Sequence, residues 1–305
     1  MNILVIKHGS LGDIFLSVGA IQSIRQHYPN ARLFFLTQSH YKEILKKFTE
    51  VDVILEDNRG PIIQSILKII EFVNNNQINL IIDLQNSSRT QFYNFFIKYF
   101  TKAKILSARK FSTYIYHQKP LGLQHITENH KDQLSKIGIN HYQISNLNWM
   151  INEIKVNEKK PYVIFIPGAS KTGDYKRWPT NNYGAVANYL ADKNYDIYLT
   201  GSKLDEEIIN EIIKICHVAK NKIKESKIDD FYDLCLKSSL IISNDTGPAH
   251  IAGLSNQHLI WLANDNKISF SCHPLGKNVH KIKSKSVKDI HPNQVIQKID
   301  YVLNI

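Results

Sequence analysis

Three cysteines in 305 residues, Cys216, Cys235 and Cys272, are too few, too widely spaced and odd in number for a disulfide framework or a zinc knuckle. No apolar run approaches the roughly 18–20 residues that span a bilayer. The N-terminus, Met-Asn-Ile-Leu-Val-Ile-Lys-His, reads as a short strand and not as a signal peptide, so a cytoplasmic protein is expected. Low-complexity segments are missing, and no nucleic-acid recognition motif is present. Carboxylates are outnumbered, 27 Asp and Glu against 38 Lys and Arg, for a net charge of +11. That surplus suits a polyanionic partner such as an anionic membrane surface or a phosphorylated small molecule. Without a recognition motif, nucleic acid is not expected to be the partner.

The chain is long enough for two domains of about 150 residues, each with its own core. In the first half, β-rich runs alternate with helical stretches. Met1–Ile6, Ala31–Leu36, Val51–Leu55 and Leu80–Leu84 read as strands, and Ile14–His27, His40–Phe48 and Pro61–Asn74 as helices. Around Ser145–Lys160 the pattern loosens into a polar, lysine-bearing linker. The rhythm then restarts. Tyr162–Ile166, Asp196–Thr200 and Leu240–Ser243 read as strands, with helices over Asn181–Lys193, Asp205–Cys216, Phe231–Lys237 and Pro248–Leu254. The fold class is therefore α/β, with doubly wound parallel sheets in domains 1–150 and 151–305. Ligands of such sheets bind beyond the carboxyl ends of the strands, here expected in a cleft between the domains.

The loops that follow strands carry the polar residues. Lys7-His8-Gly9-Ser10-Leu11-Gly12-Asp13 runs directly into a helix. It is neither a GxGxxG fingerprint nor a P-loop. Asp13 reads either as a favourable first-turn carboxylate or, where the turn faces a ligand, as a general base. Pro167-Gly168-Ala169-Ser170-Lys171 and Tyr175-Lys176-Arg177-Trp178-Pro179 read either as a solvated basic loop or as a cationic clamp on phosphate, held down by the tryptophan. Gly201-Ser202 precedes Asp205-Glu206-Glu207, where an acid near the turn either opens a helix or bonds a ribose. The most informative stretch is Ser243-Asn244-Asp245-Thr246-Gly247-Pro248-Ala249-His250. There a buried strand meets a helix start with a proline in its first turn, a natural place for an anion. His125 and His130, with Glu128 between them, lack further ligands, and no metal is expected.

Taken together, four of these elements resemble glycosyltransferase family 9, the ADP-heptose:lipopolysaccharide heptosyltransferases. They are Lys7 with Ser10-Leu11-Gly12-Asp13, Pro167-Gly168-Ala169-Ser170, Lys176-Arg177-Trp178-Pro179, and Ser243 to His250. Asp83-Leu84-Gln85 and a closing helix at Pro292–Leu303 are weaker echoes. The resemblance implies a GT-B architecture of two Rossmann-like domains, acceptor-binding then donor-binding, with a helix at 291–305 packing back on the first. It implies inverting, metal-independent transfer of a heptose or related sugar from a nucleotide donor, with no cofactor. Asp13 would be the catalytic base, with Lys7, Ser10 and Gly12 on the acceptor side. Lys176 would bind the donor phosphates and stabilise the departing diphosphate. Ser170, Glu206, Asp245, Thr246, Gly247 and His250 would complete the donor site, Asp245 on sugar hydroxyls and Glu206 on the ribose. The acceptor would be an anionic glycolipid or saccharide, reached at the inner face of a membrane.

One loop departs from the family pattern. Many members carry a Gly-Pro-Thr-type loop after the strand that follows the Asp-Thr-Gly turn. Here Leu259–Leu262 leads instead into Ala263-Asn264-Asp265-Asn266, which leaves another nucleotide-sugar donor open. Two rivals use the same fold. A nucleotide-sugar epimerase would need further acid and base groups in the donor site, and a non-catalytic binding protein has no need of Asp13, Lys176 and Asp245 together. Phe92–Tyr116 interleaves aromatics with Lys98, Lys102, Lys104, Arg109 and Lys110. It reads either as an amphipathic helix and strand or as a surface for anionic lipid.

Overall fold

The computed structural model describes residues 1–152, 160–170, 173–225 and 228–305, so part of the expected linker, and Lys171, lie outside the described residues. The chain divides into two compact units, Met1–Trp149 and Met150–Ile305. In the first, β1 (Asn2–Ile6), β2 (Arg32–Thr37), β3 (Val53–Glu56), β4 (Leu80–Asp83), β5 (Lys104–Ser107) and β6 (Tyr114–Ile115) form one sheet in the order β3-β2-β1-β4-β5-β6. Its pairings are all parallel. Ile3, Leu4, Val5 and Ile6 are fully buried, the continuous apolar run of a strand covered on both faces. The crossovers are α1 (Leu11–His27), α2 (Lys42–Leu45), α3 (Ile62–Asn75) and α4 (Ser88–Phe100), and α5 (Ile126–Ser135) follows the last strand. On α3 the buried positions Ile66, Ile69 and Val73 fall three and four apart, as one helical face requires.

The second unit repeats the plan. Strands β7 (Tyr162–Ile166), β8 (Asp196–Leu199), β9 (Lys220–Asn221), β10 (Leu240–Asn244), β11 (His258–Asn264) and β12 (Val279–Ser284) lie in the order β12-β11-β10-β7-β8-β9, again all parallel. Helices α6 (Thr180–Asp192), α7 (Glu206–Ile215), α8 (Ile228–Lys237), α9 (Gly247–Gly253) and α10 (Lys267–Ser271) connect them, and α11 (Pro292–Leu303) follows the last strand. The closing helix α11 buries Val295, Ile299 and Val302 in this unit's own core, and Tyr189 of α6 hydrogen-bonds Asp300. Among the described residues no helix is long and apolar enough to cross a membrane.

Read from their own first strands, both sheets have the order 3-2-1-4-5-6 of a dinucleotide-binding fold. The order reverses between β1 and β4 in one unit and between β7 and β10 in the other. The loops leaving those strands are the polar ones singled out above. One helix differs from expectation. His40–Phe48 is not a single helix: α2 is one turn, after which Lys47 and Phe48 bond to the carbonyls three residues back. That tightening turns Phe48 inward, where it is fully buried against Trp149.

Candidate functional site

At the head of α1 the Asp13 carboxylate accepts two hydrogen bonds through Oδ2, from the Ser10 N–H and the Ser10 hydroxyl, each at 2.8 Å. Gly9 makes this turn possible. Its φ is +112°, and a Cβ there would lie 2.6 Å from Asp13 Oδ2. The Gly9 carbonyl is held from the other side by Gln38 Nε2 at 2.8 Å and the Tyr41 hydroxyl at 3.0 Å. Burial, reinforced by the Asp13 charge, pushes the Tyr41 phenol up to about 12, so it remains a donor. Asp13 itself is half-buried and Gly12 is buried behind it. The buried Lys7 ammonium donates to the Leu84 carbonyl at 3.3 Å, which ties the β1 loop to the β4 loop.

Behind this turn lies a buried polar network. His8 Nε2 sits 3.2 Å from Asp57 Oδ2, which also accepts from the Tyr93 hydroxyl at 2.5 Å. Asp57 Oδ1 accepts from the Arg59 N–H and the Ser65 hydroxyl, each at 3.0 Å, with the Arg89 guanidinium 3.7 Å away. Burial acts to raise the Asp57 pKa, yet the His8, Tyr93 and Arg59 contacts outweigh it and hold the carboxyl well below the usual range. Asp83, fully buried, has the opposite balance: burial raises its pKa despite the N–H groups of Gln85 and Asn86 and the Ser107 hydroxyl. Gln85 in turn accepts from the His8 N–H at 3.1 Å. The β1 and β4 loops are thus braced to one another.

In the second unit the bracing residue is Asn244, the fully buried last residue of β10. Its amide donates to the Pro167 carbonyl at 2.7 Å, and its oxygen accepts from the Trp178 N–H at 3.2 Å and the Tyr183 hydroxyl at 3.0 Å. One side chain therefore gathers the β7 loop, the Lys176-Arg177-Trp178 segment and α6. Trp178 is fully buried, its indole donating to the Ile290 carbonyl at 2.8 Å. The basic loop is thereby packed down, leaving Lys176 and Arg177 partly exposed at its rim. Lys176 Nζ reaches Asp245 Oδ2 at 2.7 Å, one residue past β10. Thr246 is the N-cap of α9 and Pro248 lies in its first turn. Since α9 spans only two turns, positive potential here comes chiefly from the side chains.

The remaining expected residues take several positions. Ser170 is exposed at the β7 loop, its carbonyl accepting from the Gly173 N–H at 2.8 Å. Glu206 is exposed at the first position of α7. The acid turned into the loops is its neighbour Asp205, which is buried. Oδ2 of Asp205 accepts from the Ser202 N–H and hydroxyl, and its Oδ1 lies 3.7 Å from Arg177. A Cβ on Gly168 would meet the Asp205 carboxyl at 2.5 Å, so glycine is required there. Thr246 and Gly247 are half-exposed beside Asp245, whereas His250 is buried in α9. Asp13, Lys7, Ser10 and Gly12 belong to the first unit and the donor-type residues to the second. Among the described residues no group of three or more His, Cys, Asp or Glu side chains is placed to hold a metal ion. His125 instead caps α5.

Nothing in the sequence marks Asp57, the bracing role of Asn244 or the burial of Asp205. Asp57 follows β3 with no flanking motif, and only the fold carries it to His8. Asn244 and Asp205 stand inside the motif stretches, beside the half-buried Asp245 and the exposed Glu206.

Two doubly wound α/β units, each with polar loops at its switch point, form the GT-B class of fold. A solved structure of the Escherichia coli ADP-heptose lipopolysaccharide heptosyltransferase II has this fold, with a TM-score of 0.81 at 20% identity. The match covers 100% of this chain and 99% of that one. The chain belongs to glycosyltransferase family 9 (heptosyltransferase), whose model matches residues 66–294. That match begins after the loop that carries Asp13. Among curated relatives, lipopolysaccharide heptosyltransferase 2 of Escherichia coli is 28% identical over 174 residues, 50% of this chain and 49% of the relative. The chain thus spans about half the length of that relative. Lipooligosaccharide heptosyltransferase 2 of Haemophilus ducreyi is 25% identical across 99% of each chain.

Proposed function

We propose that the protein transfers a heptose from ADP-heptose to the core saccharide of lipopolysaccharide or a related surface glycan, with inversion and without a metal ion. The observation that carries the reading is the Lys176–Asp245 pair at the switch point of the second unit, in a member of this family. Asp13, as base, takes the proton of the acceptor hydroxyl. The freed oxygen forms the new bond at the anomeric carbon while the bond from that carbon to the diphosphate oxygen breaks. The electron pair leaves with the nucleoside diphosphate, and the ammonium of Lys176 stabilises its growing charge. A single carboxylate suffices for a displacement with inversion, because no sugar–enzyme bond has to form and break.

The departure at Ala263-Asn264-Asp265-Asn266 favours a second reading, the same chemistry with another nucleotide sugar. Asn264 Nδ2 donates to the Tyr175 carbonyl at 3.0 Å, next to Lys176, and Asp265 pairs with Lys283 at 2.6 Å. The divergent loop therefore braces the residue assigned to the phosphates. Calorimetric titration without added metal, using ADP-heptose, ADP, and UDP- and GDP-sugars, separates the two. Micromolar binding of ADP-heptose, weakened at least about tenfold in Lys176→Ala, is expected. Preference for a uridine or guanosine sugar would transfer the assignment to the second reading. No binding by any of them would contradict both.

A further inference from the structure

The proposed acceptor is a glycolipid, and the first unit has a face suited to the bilayer that holds it. On α3, Ile63 and Leu67 are more than half exposed, and so are Phe92, Tyr99 and Phe100 on α4. The two helices pack side by side. On α4 the apolar positions continue through partly buried rings. Phe95 lies 4.9 Å from Tyr99 and 4.9 Å from Phe111 between centroids, and Phe96 stacks on Phe100 at 6.1 Å. Phe92, Phe95, Phe96 and Tyr99 recur at helical spacing, so they share a side of α4. At the far end an open groove of about 810 Å³ is lined by Val73 and Asn74 of α3 and by Tyr99, Phe100 and Lys102. That groove joins the two helices into one patch with a lysine at its edge.

The charge beside this face is mostly basic. Residues 84–127, from the loop before α4 to the start of α5, contain seven Lys or Arg and no Asp or Glu, although Arg89 turns to Asp57. Lys98, Lys102 and Lys104 are exposed, as is Lys68 on α3, and among the described residues none of the four makes an ion pair. Glu71 is the one carboxylate on the two helices. Exposed aromatics flanked by unpaired lysines, with long stems that lie along an apolar surface, match the boundary of an anionic bilayer. A partner protein surface would be expected to need complementary acids and bases, and this stretch supplies only bases.

We infer that the α3–α4 face, through Ile63, Leu67, Phe92, Tyr99, Phe100 and the lysines beside them, docks the first unit on an anionic lipid bilayer. Its value to the reaction rests on the transferase reading above, but the docking itself does not. The test is sedimentation of the full chain with phosphatidylcholine vesicles, with and without phosphatidylglycerol, in the absence of donor and acceptor. The protein is expected to pellet with the anionic vesicles and to be released by high salt. The triple variant Phe92→Ser/Tyr99→Ser/Phe100→Ser is expected to bind about tenfold or more weakly. Because that variant removes rings at a packed face, Lys98→Glu/Lys102→Glu gives an independent reading, with a similar loss expected from charge alone. Both variants should keep wild-type turnover on a soluble, delipidated acceptor. Failure of the wild-type chain to pellet, or binding unmoved by either variant, would overturn the inference. So would a concentration-dependent dimer abolished by the triple variant, since the face would then belong to a second copy. Loss of the transferase reading alone would leave the sedimentation result untouched.

Discussion

Asp245 and Lys176 neutralise one another at 2.7 Å, so a donor diphosphate approaching Lys176 meets an ammonium already paired. In the proposed transfer the diphosphate would share or displace that carboxylate, while a sugar beyond it would gain a hydrogen-bond acceptor. One residue would then read the two halves of a nucleotide sugar with opposite sign. Asp245→Asn removes the competing charge and keeps the shape. We expect plain ADP to bind Asp245→Asn as tightly as the wild-type chain or tighter, while ADP-heptose binds about tenfold or more weakly. Parallel calorimetric titrations of both ligands check this, and equal losses for the two would contradict the division of roles. Asp13 illustrates how a sequence reading can leave two roles standing. Its Oδ2 does accept from Ser10, as an ordinary first-turn carboxylate would. Gly9, Gln38 and Tyr41 then fix the turn on which that carboxylate sits, which a helix cap alone does not require.

Among the elements, α5 shows how burial writes a pH dependence into the first unit. Its His130 is fully buried, and its pKa is held well below 6.5, first by burial and then by the charges of Lys7 and His125. A base depressed in the folded state takes up its proton only on unfolding. The stabilising contribution is therefore complete above about pH 6.5 and is lost as pH falls below it. Urea unfolding between about pH 7.5 and about pH 5.5 should show falling stability. His130→Leu should flatten that slope, and an unchanged slope would remove His130 as its source. At this scale most elements were legible in the sequence, because β1, β7 and β10 are continuous apolar runs and α3 keeps one apolar face. The short pieces were not. β6 and β9 are two residues each and carry no pattern, and residues 46–48 tighten only because Phe48 finds Trp149. Asp205 and Glu206 stand side by side at the head of α7, one buried and one exposed. Only the turn at Ser202 decides which one points inward.

For the molecule as a whole, two sheets of one strand order repeat one geometry: the polar loops fall where the order reverses. The net charge of +11 is distributed accordingly. Lys176 and Arg177 stand at the second switch point, while the acid-free stretch 84–127 lies on the first unit. The motifs at 7–13, 167–179 and 243–250 were readable because glycines, charged residues and a proline gather there on short loops that follow apolar strands. The networks that hold those loops join residues as distant as His8 and Asp57, or Asn244 and Pro167, and a linear reading cannot pair them. The most direct measurement is steady-state ADP release from ADP-heptose with a heptose-deficient lipopolysaccharide core, comparing the wild-type chain with Asp13→Asn. Donor affinity would be titrated on the same samples. The account predicts a fall in kcat of about 10²–10⁴-fold with donor affinity unchanged. An Asp13→Asn chain that keeps most of the wild-type turnover would contradict it.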